Sequence, residues 1–341
     1  MEKQTQKYIG AIMLPLRMVT AWLFLSAVLR RFILAPGKHE FLSSQWLGHK
    51  INTFFPHSTE PFHSGLDFLL QNPVGLDIFT YVFTFSELIL GILLAMGFLS
   101  RFTGVFMVGL AVGLMHTAGW LGPTCLDEWQ IASMLVTIGA VMAVSGSGSW
   151  SVDAWLANKK PGLRSNRWWK LLAQPDFDTE KPVFKKIAIT LTAVITIYVV
   201  GMNQVHHGGL WGPLHNYSKK PGIRLSEANI ENANTFTFNA FRDKGPEAYG
   251  SFIIKVEIKK ETGETIHVFD DKYLKSMSEE QYTNKYVNKI HPGEHSLVIP
   301  LGAQGYLTFQ LPAKKTLNPN EDYVIEMTEI GGRTFSVKTS S

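Results

Sequence analysis

The sequence contains a single cysteine, Cys125, among its 341 residues. One thiol cannot form an internal disulfide, a C-x-x-C redox pair or a metal site made of thiolates alone. Any sulfur chemistry of this chain must therefore use Cys125 alone or together with an external partner. A second interpretation stays open at this point, in which Cys125 is a small buried apolar side chain without a chemical role.

Common cofactor motifs are also missing. The sequence has no G-x-G-x-x-G that opens a βαβ unit, no Walker phosphate-binding loop and no C-x-x-C-H haem attachment site. We expect no metal, haem or flavin, and no nucleic-acid partner. A redox role would then need a diffusing electron acceptor such as quinone.

Long apolar runs are absent from residues 205–341 but frequent before them. A helix needs about 20 mostly apolar residues to cross the hydrocarbon core of a bilayer. We predict five spans, the first of them a retained helix because its run is too long for a signal peptide and no A-x-A-like cleavage site follows it. They are Ala11–Leu34, Asp77–Leu99, Phe102–Leu121, Trp129–Gly146 and Ile187–Met202.

Lysine and arginine are concentrated in the loops on one side of these spans, which predicts the orientation. The segment from Ser147 to Lys186 carries Lys159, Lys160, Arg164, Arg167, Lys170, Lys181, Lys185 and Lys186. The opposite loops carry only Lys38 and Lys50, and the eleven histidines all fall on that opposite side or in the nearer half of a helix. We therefore expect an inner-membrane protein with a cytoplasmic N-terminus and an extracytoplasmic C-terminal domain.

The predicted fold class is a membrane four-helix bundle plus a fifth transmembrane helix that carries an extracytoplasmic all-β sandwich. Residues 1–147 form the bundle, 148–186 a basic cytoplasmic connector, 187–204 the fifth helix and 205–341 the sandwich. Gly109 and Gly113 form a G-x-x-x-G pair that permits close helix approach. Short alternating runs predict the strands: Thr235–Phe241, Ser251–Ile258, Thr265–Phe269, Ser296–Pro300, Tyr306–Leu311, Tyr323–Met327 and Thr334–Lys338.

Ionisable residues inside a membrane are costly, so each is a candidate for function. Glu87 falls near mid-bilayer and His116 in the outer half of the third helix, where either is a candidate proton carrier or simply a hydrogen-bonded core group. Arg30 and Arg31 end the first helix, and guanidinium groups match oxyanions. Snorkelling to lipid headgroups is the alternative for these arginines.

Two sequence segments carry the resemblance to a known family. The first comprises Leu23-Phe24-Leu25-Ser26-Ala27, Arg30-Arg31-Phe32 and the run from His116 through Gly122-Pro123-Thr124-Cys125-Leu126-Asp127-Glu128-Trp129, and it resembles DoxD in the DoxX-like group of membrane proteins. The second is Gly209-Leu210-Trp211-Gly212-Pro213-Leu214-His215-Asn216-Tyr217-Ser218, which resembles DoxA. The chain therefore looks like a DoxD–DoxA fusion.

The resemblance implies a thiosulfate:quinone oxidoreductase, which oxidises two thiosulfates to tetrathionate and reduces a membrane quinone. We expect Cys125, His116, Asp127 and Glu87 to be catalytic, with the thiolate adding to the quinone or pairing with the outer sulfur of thiosulfate. We expect Arg30, Arg31, Trp129, His207, Trp211 and Lys219 to bind substrate. Open alternatives are a non-catalytic accessory protein whose outer domain docks a partner, and an anion- or lipid-binding membrane protein; a homo-oligomer is compatible with each.

Overall fold

The computed structural model describes residues 2–122, 128–173, 182–247, 251–319 and 321–339. Two compact units are present. The first comprises Met1–Leu47 and Val74–His215, and the second comprises Gly48–Pro73 and Asn216–Ser341. Residues 48–73, which separate the first two membrane spans in the sequence, thus belong to the same unit as the C-terminal region.

The described residues form α-helices and β-strands in two successive parts of the chain. The helices are α1 (Glu2–Leu29), α2 (Leu47–Phe54), α3 (Phe62–Leu70), α4 (Pro73–Met96), α5 (Ser100–Ala118), α6 (Glu128–Ser145), α7 (Val152–Lys159), α8 (Arg167–Leu172), α9 (Pro182–His207) and α10 (Asp271–Lys275). The strands are β1 (Gly222–Asn232), β2 (Thr235–Lys244), β3 (Ser251–Lys260), β4 (Thr265–Phe269), β5 (His291–Pro292), β6 (Leu297–Ile299), β7 (Gln304–Gln310), β8 (Tyr323–Glu329) and β9 (Thr334–Lys338).

Five helical segments in the described part of the chain are long and apolar enough to cross a membrane: Lys7–Leu34, Pro73–Met96, Ser100–Ala118, Glu128–Ser145 and Val183–His207. The five predicted spans are confirmed as helices, with ends that differ by a few residues. Their inward faces share an apolar core that includes Met13, Leu90, Met107 and Val136. The chain is a helical membrane protein in this region, as its apolar runs require.

Close packing of α5 against α6 uses Gly104 and Gly139. A Cβ on Gly104 would lie 2.6 Å from the carbonyl oxygen of Gly139, and a Cβ on Gly139 would lie 2.8 Å from that of Gly104. Within the described residues, no atom lies within 4 Å of the position that a Cβ on Gly109 would take. Glycine therefore permits this helix approach, but at Gly104 rather than at Gly109.

The second unit contains a sandwich of antiparallel sheets. Within the described residues, one sheet has the order β1-β2-β7, and the other has β5-β6-β3-β8-β9 with β4 also paired to β3. Stacked rings of Phe236, Phe238 and Phe309 and the aliphatic side chains of Ile253 and Val256 fill the core between the sheets. The predicted β-sandwich is confirmed, since the seven predicted segments each overlap an observed strand; β1 and β5 are additional.

Helices α2 and α3 are tied to the sandwich by buried polar contacts. The Asn52 side chain is fully buried, its Nδ2 donates to the carbonyl oxygen of Gly302 at 2.9 Å, and its Oδ1 accepts from the backbone N–H of Asn288 at 2.8 Å. Glu247 accepts hydrogen bonds from Lys50 and from the Thr53 hydroxyl. Buried polar groups need such partners, so these contacts fix the register of α2 on the sandwich.

Candidate functional site

The first predicted site residues that the structure brings together are Arg31 and Glu87. Nη1 of Arg31 forms an ion pair with Oε2 of Glu87 and donates to the Thr84 hydroxyl at 3.2 Å. The two side chains are only 14% and 10% exposed. The guanidinium also lies over the Phe83 ring, 5.5 Å from its centroid. Arg31 is therefore the counter-ion of an intramembrane carboxylate. In this arrangement each charge lowers the free-energy cost of burying the other.

The backbone around these arginines departs from the α-helix. Residues Arg30–Leu34 form a π-helical turn at the end of α1, closed by a hydrogen bond from the Ala35 N–H to the Arg30 carbonyl at 2.8 Å. Such turns are frequent at functional sites because they change the direction in which side chains point. Arg30 is exposed, and its Nε donates to the Ser26 carbonyl oxygen at 3.3 Å. Arg30 and Arg31 thus have different environments, and their predicted role in anion binding stays a prediction.

His39 is a buried ring near this ion pair that the sequence analysis did not single out. It stacks between Phe32 and Tyr81, with centroid distances of 4.7 and 4.6 Å. Among the described residues neither ring nitrogen has a hydrogen-bond partner. Burial and then the positive charge of Arg31 lower the pKa of His39, against the influence of Asp77. A neutral imidazole has one N–H donor and one acceptor nitrogen, so His39 can donate one hydrogen bond to a ligand and accept another.

Helix α9 is fixed to the carboxyl end of α5 by two histidines. A ring nitrogen of His206 lies 2.9 Å from the carbonyl oxygen of Met115, and one of His207 lies 3.2 Å from that of Gly119. Met115 lies in the last turn of α5, where its carbonyl oxygen also accepts from the Gly119 N–H at 3.2 Å, and Gly119 is the residue that follows the helix. Trp129 lies 6.1 Å from His207 between ring centroids. The predicted residues His207 and Trp129 are thus brought together at this helix end.

The residues on either side of the segment that contains Cys125 lie at this end of α5. Trp120 and Leu121 are buried, and the Glu128 N–H donates to the Leu121 carbonyl oxygen at 3.3 Å, which joins the two ends of the segment. Cys125 and Asp127 lie outside the described residues. Their predicted roles stay predictions.

The remaining predicted residues are distributed along the chain. His116 lies on α5 with its ring centroid 6.1 Å from that of Tyr198 on α9. Trp211 is 69% exposed, and the Gln204 side chain holds its backbone through the Trp211 N–H and carbonyl oxygen. Lys219 is an exposed residue of the second unit. Their predicted catalytic and substrate-binding roles remain untested by these contacts.

The second unit contains a polar cleft of about 460 Å³ that the sequence analysis missed. It is lined by Phe55, Pro56, His63, Ser64, Asp67, Arg224, Phe241, Lys285, Tyr286 and Gln304. Half of these residues come from α3 and from the turn that joins α2 to it, and half from the β domain. The cleft therefore forms where the helical segment packs on the β domain.

Ionisable groups in this cleft are paired. Asp67 accepts hydrogen bonds from the Tyr286 hydroxyl at 2.5 Å and from Lys285 Nζ at 3.2 Å. Burial opposes ionisation of Asp67, but these hydrogen bonds outweigh it and lower the pKa of the carboxyl. Burial, then the hydrogen bond to Asp67, raise the pKa of Tyr286 above its ordinary value. Asp67 is therefore ionised and Tyr286 neutral at physiological pH.

Neither His39 nor the cleft shows a local sequence signal. His39 follows a Pro-Gly-Lys turn. The residues that line the cleft extend from Phe55 to Gln304, a separation of 249 positions in the sequence. The one available hint is the concentration of histidine between residues 35 and 76, where His39, His49, His57 and His63 lie. In the described residues no cluster of three or more His, Cys, Asp or Glu side chains could hold a metal ion.

Comparison with known proteins identifies the two parts of the chain. Residues 12–178 match the family described as "TQO small subunit DoxD", and residues 206–338 match "TQO small subunit DoxA". Both families are subunits of thiosulfate:quinone oxidoreductase.

Solved structures show only partial similarity. The archaellum periplasmic stator protein complex FlaF and FlaG from Sulfolobus acidocaldarius matches at 15% identity and a TM-score of 0.22, over 38% of this chain and 96% of that chain. The Iho670 flagellar-like filament matches at 10% identity and a TM-score of 0.21, over 46% of this chain and 95% of that chain. At these scores the likeness supports no conclusion. The two family matches, in contrast, follow one another on one chain and together span most of it. This protein therefore belongs to the DoxD and DoxA families as a fusion of the two small subunits.

Proposed function

We propose that this protein oxidises thiosulfate to tetrathionate and passes the two electrons to a membrane quinone. Two thiosulfate dianions lose two electrons and join through a sulfur–sulfur bond, while the quinone takes up two electrons and two protons. The observation that carries the proposal is the presence of both small-subunit families on one chain. Five helices that are long and apolar enough to cross a membrane support a location in the bilayer, where quinone dissolves.

Cys125 supplies the sulfur chemistry in this proposal. Its thiolate and one thiosulfate lose two electrons to quinone together and form a Cys–S–S–SO₃⁻ adduct. The outer sulfur of a second thiosulfate then attacks the bound thiosulfate sulfur, which releases tetrathionate and restores the thiolate. The support is local: Cys125 belongs to the segment whose ends meet at Leu121 and Glu128, next to Trp129 and His207.

The membrane unit contains residues that fit a quinone head group. His39 has two buried ring nitrogens without partners among the described residues, and it lies between two aromatic rings. Bound quinone would accept the electrons and protons of the reaction. We assign the protons to Glu87, His116 and Asp127, with the Arg31 guanidinium paired to Glu87. The proposed substrate contacts remain Arg30, Arg31, Trp129, His207, Trp211 and Lys219.

The proposed orientation has the N-terminus and residues 148–186 in the cytoplasm and the β domain outside, in the inner membrane. The concentration of Lys and Arg in residues 147–186 supports it. Thiosulfate would then be bound and oxidised on the outer side, near Cys125.

The test compares the purified, detergent-solubilised chain with Cys125→Ser. We expect thiosulfate-dependent quinone reduction in the unchanged chain, none in the variant, and a cysteine adduct of one S₂O₃ group by mass spectrometry when the second thiosulfate is limiting. Cys125→Ser must retain the circular dichroism spectrum of the unchanged chain. Full activity in this variant would eliminate the covalent step, and inactivity of a folded unchanged chain with every quinone tried would favour an accessory role for the protein.

A further inference from the structure

We propose that the cleft between α2–α3 and the sandwich binds a small sulfur oxyanion, with thiosulfate and tetrathionate as its ligands; the identity of the anion rests on the proposed function. This cleft is separate in sequence from Cys125 and contains none of the substrate residues predicted from the sequence. The geometry therefore points to an anion site on the DoxA-like domain, completed by a segment of the DoxD-like region.

Strand pairing builds one wall of the cleft. Arg224 on β1 lies opposite Phe241 on β2, and Phe241 lies opposite Gln304 on β7. A guanidinium, an aromatic ring and an amide thus form a row across the three-stranded sheet. Cross-strand neighbours of this kind have Cβ atoms only about 5 Å apart. The row is held by the sheet itself, so its groups are positioned before any ligand binds.

Helix α3 and the turn before it build the opposite wall. The Phe55 ring stacks on His63 at 4.4 Å and lies 4.9 Å from Tyr286 between centroids. Asp67 joins this wall to the sandwich through Tyr286 and Lys285. Both walls therefore place aromatic rings beside groups that donate hydrogen bonds.

The two cations of the cleft are oriented by carboxylates but keep donors for a ligand. Arg224 donates from Nη2 to Asp243 at 2.6 Å and lies over the Phe241 ring. Its side chain remains 62% exposed, and a guanidinium has five N–H donors. Lys285 Nζ has three donors, and Asp67 is the carboxylate paired with it in the described residues. A dianion that binds here gains two charge-assisted contacts.

The charge balance sets the strength of binding. The positive charges of Arg224 and Lys285 are matched by the negative charges of Asp243 and Asp67. We therefore expect weak binding that decreases with salt, with a dissociation constant of about 1 mM, or about 4 kcal/mol of binding free energy. Such an affinity suits a substrate or product that must leave quickly.

The lining favours thiosulfate and tetrathionate over dianions that lack an uncharged or outer sulfur atom. Sulfonate oxygens accept hydrogen bonds from the cations, whereas the sulfur atoms of tetrathionate between its two charged ends are polarizable and uncharged. Sulfur makes favourable contacts with aromatic rings, and Phe55, Phe241 and Tyr286 supply such rings. Sulfate has the same charge but lacks an outer sulfur, so it is the appropriate comparison ligand.

Isothermal titration calorimetry on the detergent-solubilised full chain tests the proposal, with sodium thiosulfate, tetrathionate or sulfate at fixed ionic strength. Arg224→Gln and Lys285→Gln should each weaken binding about 10-fold, because each removes one charge-assisted contact. Asp67→Asn should strengthen it several-fold, because it leaves the charge of Lys285 unmatched. Lys289→Gln, an exposed lysine outside the cleft, is the matched control and should change nothing.

The opposite signs at Lys285 and Asp67 separate an effect on binding from misfolding, and unchanged binding in Lys289→Gln separates the cleft from general charge effects. Absence of binding, or equal affinity in Arg224→Gln, Lys285→Gln and Lys289→Gln, would overturn the proposal. Equal affinity for sulfate would overturn the assignment of the cleft to thiosulfate and tetrathionate. Binding that depends on Arg224 and Lys285 would persist in a chain without quinone reduction, so failure of the cleft and failure of the proposed function are distinguishable.

Discussion

Replacing Asn52 with alanine is expected to loosen the helical segment α2–α3 from the β domain. The fully buried amide of Asn52 makes one hydrogen bond to the Gly302 carbonyl and one from the Asn288 N–H. The variant leaves both backbone groups buried without these partners, which costs about 1–3 kcal/mol each. We therefore expect local opening to become about 2–6 kcal/mol easier, which corresponds to roughly 30- to 20,000-fold more frequent opening.

Hydrogen–deuterium exchange of the detergent-solubilised protein measures this opening directly. Amides of residues 48–54 and of the segments around Asn288 and Gly302 should exchange faster by that factor, while amides of the membrane helices should not change. Asn229→Ala, at an exposed asparagine of the same domain, is the control. Exchange within about three-fold of this control would refute the reasoning, because it would mean that the Asn52 contacts do not hold α2 on the sandwich.

Three further predictions concern stability. Glu87→Gln should destabilise the solubilised protein by about 3 kcal/mol because it leaves the charge of Arg31 buried without its partner. Thermal unfolding of the double variant with Arg31→Gln should show part of this loss recovered. Strictly additive losses would contradict a coupled pair. Burial lowers the pKa of His57 to about 4, so the folded state resists its protonation and the free energy of unfolding should fall by at most about 3 kcal/mol as pH drops from 6.5 to 4. His57→Phe should flatten this pH dependence, and an unchanged profile would show that other groups cause it. Gly302 has φ +79° and little room beside Asn52, so Gly302→Ala should lower the melting temperature, whereas Gly263→Ala, at a positive φ but with open space, should lower it less.

The membrane helices and most strands could be predicted because each has a strong local pattern. Apolar length alone is enough to find the five spans, and alternation is enough to find strands such as β2 and β8. Strand β1 escaped because its pairing with β2 has register shifts at three places, which break the alternation of buried and exposed residues. Helices α2 and α3 are short and depend on tertiary contacts such as those of Asn52, so the sequence does not reveal them.

The candidate sites were predictable residue by residue rather than as assemblies. Glu87 and Arg31 stood out separately, since charge inside an apolar run is costly, but their pairing depends on how α1 and α4 pack. His207 stood out within a Gly-rich strip, whereas its contact with the Gly119 carbonyl is set by the position of α9. The cleft could not be foreseen, because strand register and helix packing alone bring Arg224 beside Asp67 and its neighbours.

The central claim is tested most directly by the stoichiometry of the reaction. The purified full chain is incubated with thiosulfate and a soluble quinone analogue, and consumed thiosulfate, reduced quinone and tetrathionate are quantified together. The proposed reaction predicts two thiosulfates consumed for each tetrathionate formed and each quinone reduced. Quinone reduction without tetrathionate, or no thiosulfate-dependent reduction by a folded chain, would contradict it.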